Sequence, residues 1–182
     1  MPWPPSFAHS GDTFPRDSGP LGCLRMRELS ANPRIGSRIA RHVRTEPAVS
    51  AESNIETIKA VYAAFNKGDL ARILDVLSDD VDWATEATST AAPWYGARHG
   101  KQQVADFFSA FTGTMATDEF TLLAYAAYGD DVMTVVHHRS HNKDTGHSVD
   151  MNQHHWFGFS DGKIAYHRAS EDTAQVEASL RS

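Results

Sequence analysis

Seven of the chain's ten histidines, at positions 137, 138, 141, 147, 154, 155 and 167, fall between Val132 and Asp172. That stretch reads as three strands joined by two turns, and strand side chains alternate between the two faces of a sheet. If His155 turns inward, so do Met151, Gln153 and Phe157. On the neighbouring strands Thr134, Val136 and His138 share one face, and His167, Ala169 and Glu171 share another. The alternation therefore predicts a cavity lined by Trp83, Thr85, His138, Gln153, His155 and His167, with Trp94, Phe107 and Phe111 closing it.

Imidazole titrates near neutral pH, so a pair of imidazoles can hold one acid and one base at once. That arrangement suits enolisation, dehydration or aldol-type cyclisation without a cofactor. His155 is expected to act as the acid or oxyanion donor and His138 as the base, with Asp172 or Glu171 as a carboxylate that orients them. The plainer alternative is that buried histidines satisfy one another and water. Three convergent imidazoles can also hold zinc or iron. In the adjacent pairs His137-His138 and His154-His155, however, one member points away, and no metal site is expected. The outward set, His137, Arg139, His141 and His154, is expected to serve a homodimer formed through the outer sheet face. Trp83 and Trp94 are read as pocket residues for a flat apolar ligand, and Trp156 as core.

These side chains need a scaffold, and the preceding residues supply one. From Ser53, Ser-Asn-Ile-Glu has the form of a capping box, and Ile55, Ile58, Val61, Tyr62 and Phe65 recur at helical spacing until Gly68. Asp69 can cap a second helix bearing Leu70, Ile73, Leu74 and Leu77, after which Val81, Trp83 and Thr85 alternate as a half-buried strand does. A polar loop containing Pro93, Trp94 and Tyr95 leads to a third helix with Val104, Phe107, Phe108 and Phe111. Strands are predicted over 119–128, 132–141, 147–159 and 163–170, with a hairpin turn at Asp161-Gly162 and a final helix over 173–180 capped by Asp172. Helices first and hairpin-linked strands afterwards predict an α+β fold, a curved antiparallel sheet with helices packed on one side around a conical cavity.

Composition divides the chain differently. Residues 1–50 hold seven of the eight prolines and seven arginines against four acids, a balance of +3 that leaves −9 of the net −6 for the remainder. Such a segment cannot bury enough surface to offset its ordering entropy, so 1–52 is read as a disordered basic extension and 53–182 as one domain. An acidic domain lacks the field that nucleic-acid binding needs. No apolar run approaches the eighteen residues of a membrane span, no secretory signal is evident, and Cys23 has no partner cysteine in the chain. A cytoplasmic protein with a small-molecule ligand, and with neither nucleic acid nor membrane as partner, is the expectation.

Four segments carry a resemblance: Tyr62-Ala-Ala-Phe-Asn-Lys-Gly-Asp-Leu70, Val81-Asp-Trp83, Tyr95-Gly through His99-Gly-Lys101, and Asp161-Gly-Lys-Ile-Ala-Tyr-His-Arg-Ala-Ser-Glu-Asp-Thr-Ala174. In order and spacing they resemble the SnoaL-like domains of the nuclear transport factor 2-like superfamily, over about residues 53–180. The resemblance implies the roll-shaped, cystatin-like version of the fold above. Fold alone does not choose a chemistry. The tyrosine, general-base aspartate and protonated aspartate of ketosteroid isomerases are matched by Val61, Thr85 and His155, so isomerisation of that kind is not expected. The arginine and two aspartates of the epoxide hydrolases are matched by Val136, His138 and Ala169. Scytalone dehydratases are similar in the histidine before Trp156, in a second histidine at 137 or 138 and in an aromatic at Trp83, but their helix-one aspartate is replaced by Asn66. Polyketide cyclases carry an acid after the last strand, where this chain has Glu171 and Asp172. The resulting expectation is a cofactor-independent acid/base enzyme, dehydratase, isomerase or cyclase in type, acting on a small hydrophobic oxygenated molecule. The alternative is a non-catalytic ligand-binding or dimerisation module of the same fold.

Overall fold

A computed structural model describes residues 50–182 of the chain. The basic extension expected over 1–52 lies outside the described residues except for its last three, and two of those, Ala51 and Glu52, already belong to the first helix. That helix, α1 (Ala51–Asn66), begins earlier than the sequence predicts because Ser50 caps it, accepting from the Ser53 amide at 3.2 Å. The capping box expected at Ser53 does not form, and Glu56 instead pairs with Lys59 at 2.8 Å. Gly68, at φ +69°, turns the chain out of α1. Asp69 then caps α2 (Leu70–Asp75) by accepting from the Arg72 amide. Leu77, expected on that helix, opens strand β1 (Leu77–Thr85).

A two-residue strand, β2 (Arg98–His99), and helix α3 (Gly100–Thr114) come next. The hinge between them has to be glycine: Gly100 lies at φ +75°, and a Cβ there would stand 2.9 Å from the Asp79 carbonyl oxygen. Strands β3 (Met115–Tyr128), β4 (Asp131–Asn142), β5 (Ser148–Ser160) and β6 (Lys163–Ser170) are joined by hairpins, and α4 (Thr173–Ser179) closes the chain. The β5–β6 turn puts Asp161 at φ 50° and Gly162 at φ 73°, the two left-handed residues of a type I′ hairpin.

All six strands form one curved, unclosed sheet in the order β2-β1-β6-β5-β4-β3, with the helices on one side. The α+β class holds, with one amendment: β1 lies parallel to β6, pairing Trp83 with His167 and Thr85 with Ala169, while every other pairing is antiparallel. Register shifts, which bend strands, occur in the β3–β4 ladder near Thr117/Glu119 and Leu122/Ala124, in the β1–β6 ladder between Leu77 and Asp82, and in the β5–β6 ladder between Gly158 and Phe159. Ile58, Val61, Ile73, Val81, Val104, Phe108, Val136, Phe157 and Ile164 pack between helices and sheet. That core holds the concave ends of β1, β4, β5 and β6 at fixed spacing.

Candidate active site

The expected parity holds on all three histidine-bearing strands. Along β4 the buried positions are Val132, Thr134, Val136, His138, Ser140 and Asn142; along β5 they include Met151, Gln153, His155 and Phe157; on β6, His167 and Ala169 are buried. One hollow of about 80 Å³ is lined by His138, His155 and His167 together with Trp83, Thr85 and Gln153. Trp94, Phe107 and Phe111 lie on its wall as well. Three imidazoles, one from each of β4, β5 and β6, thus border a single space.

Sequence reasoning missed Tyr62. The apolar stripe of α1 carries both Val61 and Tyr62, and both reach the hollow, but Tyr62 supplies a hydroxyl there. Its Oη lies 2.9 Å from His155 Nδ1 and 2.6 Å from Thr134 Oγ1. The edge of the Tyr62 ring packs against Phe120 and Phe157. A tyrosine directly after the position that the resemblance matched to Val61 was the available signal. Burial keeps the Tyr62 phenol well above its ordinary pKa, so it is neutral.

Burial also changes what the histidines can do. It pushes His138 down to about 4 and His155 down to about 3, and it holds His167 well below the usual imidazole range. His138 and His154 add to the depression of His155, while His155, 5.3 Å away between ring centres, and Arg168 add to that of His167. The expected acid and base sharing one near-neutral titration are therefore replaced by three neutral rings at pH 7, whose acid function is limited to a neutral N–H. His167 stacks on Trp83 with ring centres 3.6 Å apart. Both ring nitrogens of His138, Nδ1 of His167 and Nε1 of Trp83 are buried and have no hydrogen-bond partner among the described residues. Buried polar atoms of native proteins nearly always have partners, so four such atoms around one hollow mark it as a place for polar contact.

The two candidate carboxylates separate cleanly. Glu171 lines the hollow, where Oε1 accepts from Tyr95 Oη and Oε2 from Gln153 Nε2, each at 2.7 Å. Burial raises its pKa, and hydrogen bonding from Tyr95, Gln153 and Trp94 opposes that rise. Asp172, expected among the catalytic residues, is not on the hollow: it caps α4, accepting from the Ala174 and Gln175 amides and from the Gln175 side chain. Its place after the last strand, where side-chain alternation gives way to a helix cap, explains the difference. Asn66 donates to the Phe120 carbonyl and ties α1 to β3.

The outer face carries Trp156, which is not core as expected but 40 % exposed, donating Nε1–H to Asp131 and packing on Tyr166. Its parity is opposite to that of His155, and parity decides. His141 and His137 are also on this face, His141 against Asp118 and His137 near Glu119 and Asp150. Among the described residues no three His, Cys, Asp or Glu side chains converge as metal ligands, and no helix is long and apolar enough to cross a membrane.

Comparison with known proteins agrees with this architecture. A family model for the SnoaL-like domain matches residues 58–167. No curated protein matches the chain in sequence. Among solved structures, a nuclear transport factor 2-like protein of unknown function from Burkholderia pseudomallei is 22 % identical, with 71 % of this chain and 98 % of that one covered at a TM-score of 0.67. TerC, co-crystallised with polyporic acid, is 23 % identical, with 71 % and 98 % covered at 0.63. A protein from Mesorhizobium loti described as a SnoaL-like polyketide cyclase is 19 % identical, with 63 % and 96 % covered at 0.53. Two other structures of this fold, from Rhodopseudomonas palustris and Bacillus subtilis, are described only as suspected isomerases. At these identities the likeness establishes the fold alone.

Proposed function

Because the chain belongs to the SnoaL-like domain family, we propose that it is an acid/base enzyme working through its own side chains, of dehydratase, isomerase or cyclase type. The observation that carries the reading is the convergence of His138, His155 and His167 on one small, mostly apolar hollow with ring nitrogens left unpartnered among the described residues. Neutral His155 offers an N–H to an oxygen that gains charge in the transition state. His138, which borders the hollow beside Gln153, takes the proton from carbon or oxygen. Gln153 and Tyr95 hold the Glu171 carboxylate on the wall of the hollow, its acidic group among the described residues. The substrate is small, oxygenated and otherwise apolar, matching the ring of Trp83, Phe107, Phe111 and Phe120.

Mass spectrometry of the purified protein is the way to recover a bound molecule and identify a substrate. With that molecule, His155→Ala and His138→Ala are each expected to lower turnover about a hundredfold or more, with affinity largely retained. Loss of affinity without any turnover in the wild-type protein would instead support the binding module.

We also propose that two copies pair through the outer sheet face, which leaves Met133 55 %, Trp156 40 % and Tyr128 88 % exposed. Contiguous exposed apolar side chains of this kind mark association surfaces. Sedimentation of the wild-type chain is expected to give a dimer and of Met133→Lys/Trp156→Glu a monomer; a wild-type monomer at micromolar concentration would refute the pairing.

A further inference from the structure

We infer that Tyr62, with its oxygen engaged by Thr134, is a positioning residue that keeps the single proton of His155 on Nε2, so that this ring presents a donor rather than an acceptor to whatever occupies the hollow. The inference rests on the reading of His155 as the donor of the site, and it names what sets that role.

Three atoms decide it. Tyr62 Oη sits between Thr134 Oγ1 at 2.6 Å and His155 Nδ1 at 2.9 Å, and a phenol has one hydrogen to give. Two directions are open. In one, Thr134 donates to Tyr62 and Tyr62 donates to Nδ1. In the other, Nδ1–H donates to Tyr62 and Tyr62 donates to Thr134. Thr134 is 3 % exposed, and among the described residues its hydroxyl has no other partner. The second direction therefore strands the Thr134 hydrogen in the interior without an acceptor, whereas the first leaves free only the Nε2–H of His155, a ring that borders the hollow, where water or a ligand can accept it. Burial keeps His155 neutral, so an acceptor at Nδ1 leaves the proton on Nε2.

The chemical consequence concerns the ligand. Trp83 Nε1, a donor only, and the proton-bearing nitrogen of neutral His138 are further unpartnered N–H groups on residues that line the hollow, and among the described residues no Lys or Arg lines it. A site that presents N–H groups without a cation suits an uncharged carbonyl or hydroxyl-bearing molecule better than a carboxylate or phosphate. The oxygen facing His155 is the one at which negative charge is best tolerated.

The test is nitrogen-15 NMR of the imidazole rings in the full chain at pH 7, with the His155 signals assigned by their loss in His155→Asn. The wild type is expected to show an unprotonated, pyridine-like Nδ1 and a protonated, pyrrole-like Nε2 for His155. In Tyr62→Phe, with the amide spectrum otherwise preserved, both tautomers are expected to be populated. A protonated Nδ1 in the wild type overturns the inference outright, even if Tyr62→Phe fails to fold. An unchanged tautomer in Tyr62→Phe overturns the role given to Tyr62. A correct tautomer in a chain that turns nothing over would overturn the enzyme reading and leave this one intact; a wrong tautomer in an active enzyme does the reverse.

Discussion

Lowering the pH from 7 to 5 is expected to remove about 4 kcal/mol of folding stability through His138 and His155 alone. Both are pushed down by burial, to about 4 and about 3, while in the unfolded chain they titrate near the ordinary imidazole value. As pH falls below about 6.5 the unfolded state takes up protons that the folded state refuses, and linkage then favours unfolding by ~1.4 kcal/mol per pH unit for each ring. The contribution is fully present above the unfolded value and is lost as pH falls toward the folded ones. His167, held well below its usual range, acts in the same direction. Glu171, pushed upward by burial, acts against it by binding a proton more readily when folded. Against a total stability of ~5–15 kcal/mol the net loss is large enough to bring the chain close to acid unfolding. Urea titrations at the two pH values measure it, and His138→Leu should remove ~2 kcal/mol of the difference. Equal stability at pH 7 and pH 5 would mean that the rings are not shielded as described.

Phe157→Ala is expected to cost ~3–5 kcal/mol. Phe157 is 1 % exposed, and its ring centre lies 4.8 Å from that of His167, 5.9 Å from His155, 6.2 Å from Tyr62 and 6.5 Å from Trp83. Truncation would open a void beside an existing hollow and release four aromatic neighbours at once, so collapse around it is limited. Trp156→Ala, one residue away on the outer face, should cost much less because its ring already meets water. The pair of denaturation midpoints checks both statements. A Phe157→Ala loss no larger than that of Trp156→Ala would show that Phe157 does not hold the rings in place.

Most of the site's wall was legible because strand parity is a strict rule of period two. It set Thr134, His138, Gln153, His155 and His167 on one face without any knowledge of strand order. The same rule pointed to Glu171 and placed Trp156 outside; Trp156 was read as core where residue type was weighed above parity, and Asp172 lies beyond the end of β6, where parity no longer applies. Tyr62 was less accessible, since a helical stripe about 100° wide puts Val61 and Tyr62 on the same face and does not say which one reaches across to β5. The parallel β1–β6 pairing was not legible at all. Strand order is a property of the packed chain, and nothing local to Val81–Thr85 or Tyr166–Ala169 encodes it. The lowered histidine pKa values likewise depend on burial by residues far away in sequence.

That pairing has a consequence for synthesis. β6, the last strand among the described residues, lies between β1 and β5 in the middle of the sheet. Until residues 163–170 emerge, the nascent chain holds two unjoined pieces, β1 with its helices and the β3–β5 meander, each with an open edge that can pair with a neighbouring polypeptide. The meander forms from local contacts and can fold early, whereas the Trp83–His167 stack must span more than half of the domain and forms only at the end. A chain cut short before the last hairpin is therefore expected to leave one edge of β1 unpaired and the hollow open.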